Sequence, residues 1–149
     1  MKKIGIILKL VLIIGLVVAI PFVIISPFWL EHTRSVIYSM FIIYPNSLLM
    51  IGITIQFIKL FQSLEKNNPF NYENVKTLKK ASIISLAMSI LWVIDLLLMI
   101  FMIGNTYINY IIVLVFLAVL FLGVAIALYI LSELFRQATD YKEENDLTI

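Results

Sequence analysis

Apolar residues along this chain come in four long runs. Leu10–Leu30 carries no charge, Ser35–Ile58 none, Ala81–Ile103 only Asp95, and Tyr110–Ser132 none. About 20 apolar residues in a helix cross the hydrocarbon core of a bilayer. Each run therefore predicts one membrane-spanning helix, over about 8–30, 35–58, 81–103 and 110–132. Strands of a membrane barrel would alternate polar and apolar positions, and these runs do not. In lipid a helix pairs every backbone N–H and C=O within its own segment. The pattern thus predicts an all-α, polytopic membrane protein: one four-helix transmembrane bundle over residues 1–149, with helical extensions into the cytoplasm.

The polar pieces between the runs also carry structure. Phe57, Leu60, Phe61 and Leu64 recur at helical spacing, so the second span continues past the membrane as an amphipathic helix. Asn67 and Asn68 end it, and Pro69 cannot continue it. Asn71 then suits an N-cap, with Glu73 in the first turn, where the helix dipole favours an anion. Phe70 just before the cap and Val75 at the fourth helical position have the spacing of a hydrophobic staple. From Tyr72 a helix can run unbroken into the third span. Residues 59–80 thus read as a cytoplasmic helical hairpin. In the tail, 133–149, Leu134, Phe135 and Ala138 extend the apolar stripe of the fourth span before the acidic stretch Tyr141–Asp146.

Composition and charge sharpen this picture. Of the 149 residues 62% are hydrophobic and 13% charged, and the mean hydropathy is +1.07; soluble domains run near 45–50% apolar and about 25% charged. Ten of the eleven Lys and Arg residues flank the spans on one side, leaving only Arg34 on the other. By the positive-inside rule both termini and the hairpin face the cytoplasm. The first span reads as a retained anchor: Pro21 and Pro27 stand where a signal peptide would have its small-residue cleavage site. With no cysteine, thiolate metal sites, disulfides and cysteine nucleophiles are excluded. His32, the one histidine, reads as a solvated loop residue, and no metal site or cofactor is expected. A net charge of +2 gives no reason for direct nucleic-acid binding; topology and anionic lipid headgroups account for the lysines.

Two of the polar pieces resemble a known bacterial family. Asn68–Ala81 reads N-P-F-N-Y-E-N-V-K-T-L-K-K-A, and Leu134–Ile149 reads L-F-R-Q-A-T-D-Y-K-E-E-N-D-L-T-I. Together they are similar to the family known as domain of unknown function 2975. Those are small four-span membrane proteins with a P-F-x-x-E-N-like segment before the third span and a D-L-T-hydrophobic ending. The resemblance covers essentially the whole chain and implies a bacterial cytoplasmic membrane protein. It carries over no catalytic residue, because the family has no assigned activity. Its members are often encoded beside a small helix-turn-helix regulator, which implies a regulatory protein partner.

Two groups of residues are candidates for function. The first is the inner face: Pro69, Phe70, Glu73, Asn74, Lys76, Lys79 and Lys80 in the hairpin, and Phe135, Arg136, Glu143, Glu144, Asp146 and Leu147 in the tail. The lysines and the tail carboxylates are opposite in charge, so they either pair with each other or meet a cytoplasmic protein. The second group surrounds Asp95, roughly 12 Å from the outer end of its span at 1.5 Å per residue. Because the second span runs the other way, Tyr44, Asn46 and Ser47 fall at similar depth, beside Pro45. Asp95 is then either a proton or cation site or one half of an interhelical hydrogen bond, and a lone acid favours the bond. Ser82, Ser85 and Ser89 on one face, and the small pair Gly123 and Ala127, read as packing surfaces that could also support a homo-oligomer. No nucleophile–base set, phosphate loop or paired intramembrane carboxylates are visible, so an enzyme is not expected. The leading expectation is a non-enzymatic protein with a cytoplasmic protein partner. The alternatives are a small transporter or immunity protein using Asp95, and a structural or lipid-binding protein.

Overall fold

A computed structural model describes residues 2–25, 43–66, 69–103 and 108–147. They form four helices: α1 (Lys2–Ile25), α2 (Tyr44–Glu65), α3 (Tyr72–Ile103) and α4 (Ile108–Leu147). All four are long and apolar enough to cross a membrane, so the chain is a multi-pass membrane protein by length and composition. The first inter-span loop, with His32 and Arg34, lies outside the described residues, as do Asn67 and Asn68. Pro45 stands in the first turn of α2, where a missing N–H leaves no hydrogen bond broken.

α3 has 32 residues and α4 has 40. At 1.5 Å per residue they are about 48 and 60 Å long, against a hydrocarbon core of about 30 Å. Both are longer than one crossing needs; the end where α2 meets α3 is hereafter the polar end. Packing follows chain order: α1 lies on α2, α2 on α3, and α3 most extensively on α4.

The α3–α4 seam explains its own length. The inward positions of α3, which serve both of its neighbours, are Asn74, Leu78, Ala81, Ser85, Met88, Trp92, Asp95 and Met99, all buried except the half-buried Trp92; Asn74 and Asp95 among them bond to α2. Those of α4 are Leu114, Ala118, Phe121, Ala125, Leu128, Ser132, Phe135 and Thr139, where only Phe121 and Phe135 are half-buried. Both series advance by alternating steps of four and three residues, the 3.5-residue period that keeps two helices in contact over many turns. Alanines and serines in the seam let the backbones approach closely, which is what drives helix association where water does not. Ser82 Oγ donates to the Ala125 carbonyl at 2.9 Å and Ser89 Oγ to the Ala118 carbonyl at 2.8 Å. The two bonds sit one heptad apart on both helices, which fixes an antiparallel register.

The serine face is thus a packing surface, as expected from the sequence. Gly123 and Ala127 are not one within the chain: both are exposed, and a Cβ built on Gly123 meets nothing within 4 Å. At the polar end of the seam Leu78, Ala81 and Leu128 form a small core, covered by Phe57 and Leu60 of α2 and by Val124 and Phe135 of α4.

Candidate functional site

Where α2 gives way to α3 the chain reverses, and side-chain amides hold the reversal. Asn71 caps α3 as expected: its Oδ1 accepts the Asn74 N–H at 2.8 Å, and its carbonyl accepts the Val75 N–H at 3.3 Å. Asn71 Nδ2 donates to Ser63 Oγ at 3.1 Å, tying the new helix to the old one. Asn74 makes the stronger clamp. Its Nδ2 donates to Ser63 Oγ at 2.7 Å and to the Pro69 carbonyl at 2.6 Å, and the residue is 2% exposed. Thr77, also buried, donates to the Glu73 carbonyl at 2.9 Å.

Between the two arms lies a cavity of about 410 Å³. Lys59, Gln62, Ser63 and Lys66 of α2 form one wall, and Asn71, Glu73, Asn74 and Thr77 form the other. Ser63, Asn71, Asn74 and Thr77 are held by the bonds above. Lys59, Lys66 and Glu73 are exposed and enter no ion pair among the described residues.

The tail packs beside this hairpin. The rings of Phe70 and Phe135 are 5.3 Å apart and tilted. Phe70 therefore meets a ring on α4. Tyr72 donates its hydroxyl to Asp140 Oδ1 at 2.7 Å, and this bond to a carboxylate holds the phenol above its usual pKa range. Arg136 turns back along its own helix to Glu133, and reaches Asp140 at 3.4 Å. Beyond the uncharged run that ends at Ser132, this guanidinium holds the Glu133 carboxyl below its ordinary range. Aromatic and hydroxyl contacts thus join hairpin and tail, and the Lys79 charge adds to the pull of Arg136 on the Glu133 carboxyl. Lys76, Lys79, Lys80, Glu143 and Glu144 are exposed and enter no ion pair among the described residues. Asp146 and Leu147 lie in the last turn of α4, with side chains outside the described residues.

The intramembrane cluster is smaller than the sequence allowed. Asn46 Nδ2 donates to Asp95 Oδ2 at 2.8 Å, both residues being buried. Ser47 instead donates to the Ile43 carbonyl of its own helix at 2.7 Å, and Tyr44 is half-buried at the start of α2. The arrangement joins the first turn of α2 to the C-terminal third of α3 through an amide–carboxyl bond.

A family model described as "Protein of unknown function (DUF2975)" matches residues 7–149, nearly the whole chain. The chain belongs to this family. No curated protein and no solved structure matches it.

In this DUF2975 member two further contacts were not anticipated from sequence. Lys9 Nζ lies 2.8 Å from Glu65 Oε1 and 3.0 Å from Oε2, with both side chains about one-fifth exposed. Gly5 is buried against α2, where an added Cβ would come within 3.2 Å of the Phe61 carbonyl. Together they fasten the first helix to the polar end of the second. The only sequence signals were a lysine intruding into an apolar run and an acid ending an amphipathic one. Among the described residues, the Lys9–Glu65 pair and the hairpin and tail contacts lie at the polar end, while Asn46–Asp95 and the Ser82 and Ser89 bonds lie buried further along the helices.

Proposed function

We propose that this DUF2975 protein is a non-catalytic membrane receptor that holds a soluble protein against the polar end of its helices, on the cytoplasmic side. One observation carries the reading: the hairpin and the tail are already packed onto each other, yet Lys76, Lys79, Lys80, Glu143 and Glu144 stay exposed and enter no ion pair among the described residues. If the two charge groups served only to close this end of the molecule, they would face each other. Instead Phe70, Phe135, Tyr72 and Asp140 do much of that work, and both charge groups remain exposed. Charges so displayed favour fast and selective encounter with a complementary surface. The one-sided distribution of Lys and Arg supports the cytoplasmic orientation. The family resemblance suggests a small regulator of transcription as partner, in a bacterial cytoplasmic membrane.

The test is purification from the native cell in mild detergent, with co-purifying proteins identified by mass spectrometry. A specific soluble protein should be lost when Lys76, Lys79 and Lys80 become Glu, and reduced when Glu143–Ile149 is deleted. An identical protein set from all three chains would end the proposal. A transport role through Asp95 has less support, because Asn46 already occupies its carboxyl.

A further inference from the structure

We propose that the cleft between the ends of α2 and α3 binds a phosphate ester bearing a protonated amine, the chemistry of an ethanolamine phospholipid headgroup. Its volume of about 410 Å³ lies within the range of roughly 300–1,000 Å³ typical of small-molecule sites. Its charge is divided between the walls. Lys59 of α2 and Lys66, the residue that caps the C-terminus of α2, stand on one side; Glu73 stands on the other. Two residues seven apart are separated by about 10 Å along the axis, and flexible lysine stems of four carbons can bring both ammonium groups onto one phosphate. None of the three charges is engaged in an ion pair among the described residues. Two cations facing one anion across a cleft match a ligand whose phosphate and amine are a few bonds apart.

The floor of the cleft is already ordered. Ser63, Asn71 and Asn74 are fixed by mutual hydrogen bonds, so little freedom is lost there on binding. Depth favours a lipid as the source: Lys59 directly follows Ile58, the last residue of the second apolar run, which places the mouth at headgroup level. The exposed Lys76–Lys80 surface has no comparable enclosure. This inference is independent of the protein-partner reading, because it uses different residues and a different ligand.

The experiment measures lipid retention by native mass spectrometry, using the full chain reconstituted in nanodiscs of equal parts phosphatidylcholine and phosphatidylethanolamine. Phosphatidylethanolamine should be retained preferentially. Lys59→Gln/Lys66→Gln should lower retention of both lipids by about tenfold or more, the scale of losing a charge-assisted contact. Glu73→Gln should abolish the preference for ethanolamine over choline. Lys3→Gln/Lys142→Gln, which removes the same charge elsewhere, should change nothing. Circular dichroism and monodispersity confirm folding, and Lys59→Arg/Lys66→Arg should keep retention. A parallel titration with soluble O-phosphorylethanolamine in lipid-free detergent assigns the source. Saturable binding lost in the Lys59/Lys66 variant supports the site with an aqueous ligand; retention of the diacyl lipid alone supports it with a bilayer ligand. Equal loss in the Lys3/Lys142 control, or no retention difference in any variant, overturns the proposal.

Discussion

Asn74 offers the sharpest test of how the polar end is built. Asn74→Ala removes two donor contacts, to Ser63 Oγ at 2.7 Å and to the Pro69 carbonyl at 2.6 Å, from a residue that is 2% exposed. Each neutral hydrogen bond contributes about 1 kcal/mol net, and a buried acceptor left unpaired adds about 1–3 kcal/mol. The two bonds together contribute about 2 kcal/mol; Ser63 keeps the Asn71 amide, and the Pro69 carbonyl, on a half-buried residue, adds up to about 2 kcal/mol more. The total is about 2–4 kcal/mol, lost locally, since the α3–α4 seam does not depend on this side chain. Hydrogen–deuterium exchange resolved over 69–78 reads it out. Local opening should speed exchange there by roughly 30- to 1,000-fold, with the buried stretch of α3 around Met88 unchanged. Asn74→Asp separates the mechanism from mere size. It is nearly isosteric, but an ionised carboxylate cannot donate to either partner, so it should be at least as damaging as Asn74→Ala. Exchange within about threefold of wild type in Asn74→Asp would refute the clamp, because a penalty of 2 kcal/mol cannot hide in that margin.

Other perturbations follow from the same structure. Ser85 is fully buried with its hydroxyl unpartnered, so Ser85→Ala should be neutral or raise thermal stability in detergent by up to about 1 kcal/mol; a clear loss would mean the hydroxyl has a role the seam does not explain. Asp95→Asn should leave the protein folded and the α2–α3 contact intact, since two amides can still bond, whereas Asp95→Leu strands the Asn46 amide and should lower the unfolding midpoint by the equivalent of about 1–2 kcal/mol. Gly5→Leu should separate α1 from α2, because even a Cβ there crowds the Phe61 carbonyl; disulfide cross-linking between cysteines placed on the two helices would report it, and undiminished cross-linking would contradict the contact. Arg136→Gln should let the Glu133 carboxyl titrate back up towards its ordinary range, visible by NMR. With its pKa lowered in the fold, that pair contributes at neutral pH and is lost as pH falls through the lowered value.

Much of this architecture was legible in the sequence, and the reasons differ by element. The four spans follow from the length of the apolar runs, because a bilayer tolerates little else. The Asn71 cap was legible because capping is local, decided within four residues. The Asn46–Asp95 bond was legible because antiparallel spans of known thickness put their residues at calculable depths. What escaped depends on the angles and rotation of the helices. Asn74 read as a candidate for partner binding; its burial was not legible, because it depends on the hairpin closing tightly enough for its amide to reach Ser63 on the other arm. Phe70 had the spacing of a local staple, but Phe135, 65 positions further along the chain, supplies a ring against it. The Lys9–Glu65 pair required the register of α1 on α2, which two featureless apolar helices do not reveal. The serines of α3 pointed to packing, yet the full heptad seam emerges only when the matching small residues of α4 are set against them.

The claim that the polar end receives a soluble protein is tested most directly by photo-crosslinking in living cells. A photoreactive residue replaces Lys76 or Glu143 at the polar end, or Phe101 near the far end of α3, which is 86% exposed. The account predicts one discrete adduct with a soluble cytoplasmic protein from positions 76 and 143, and none from position 101. Adducts with soluble protein from position 101, or none from 76 and 143, would contradict it.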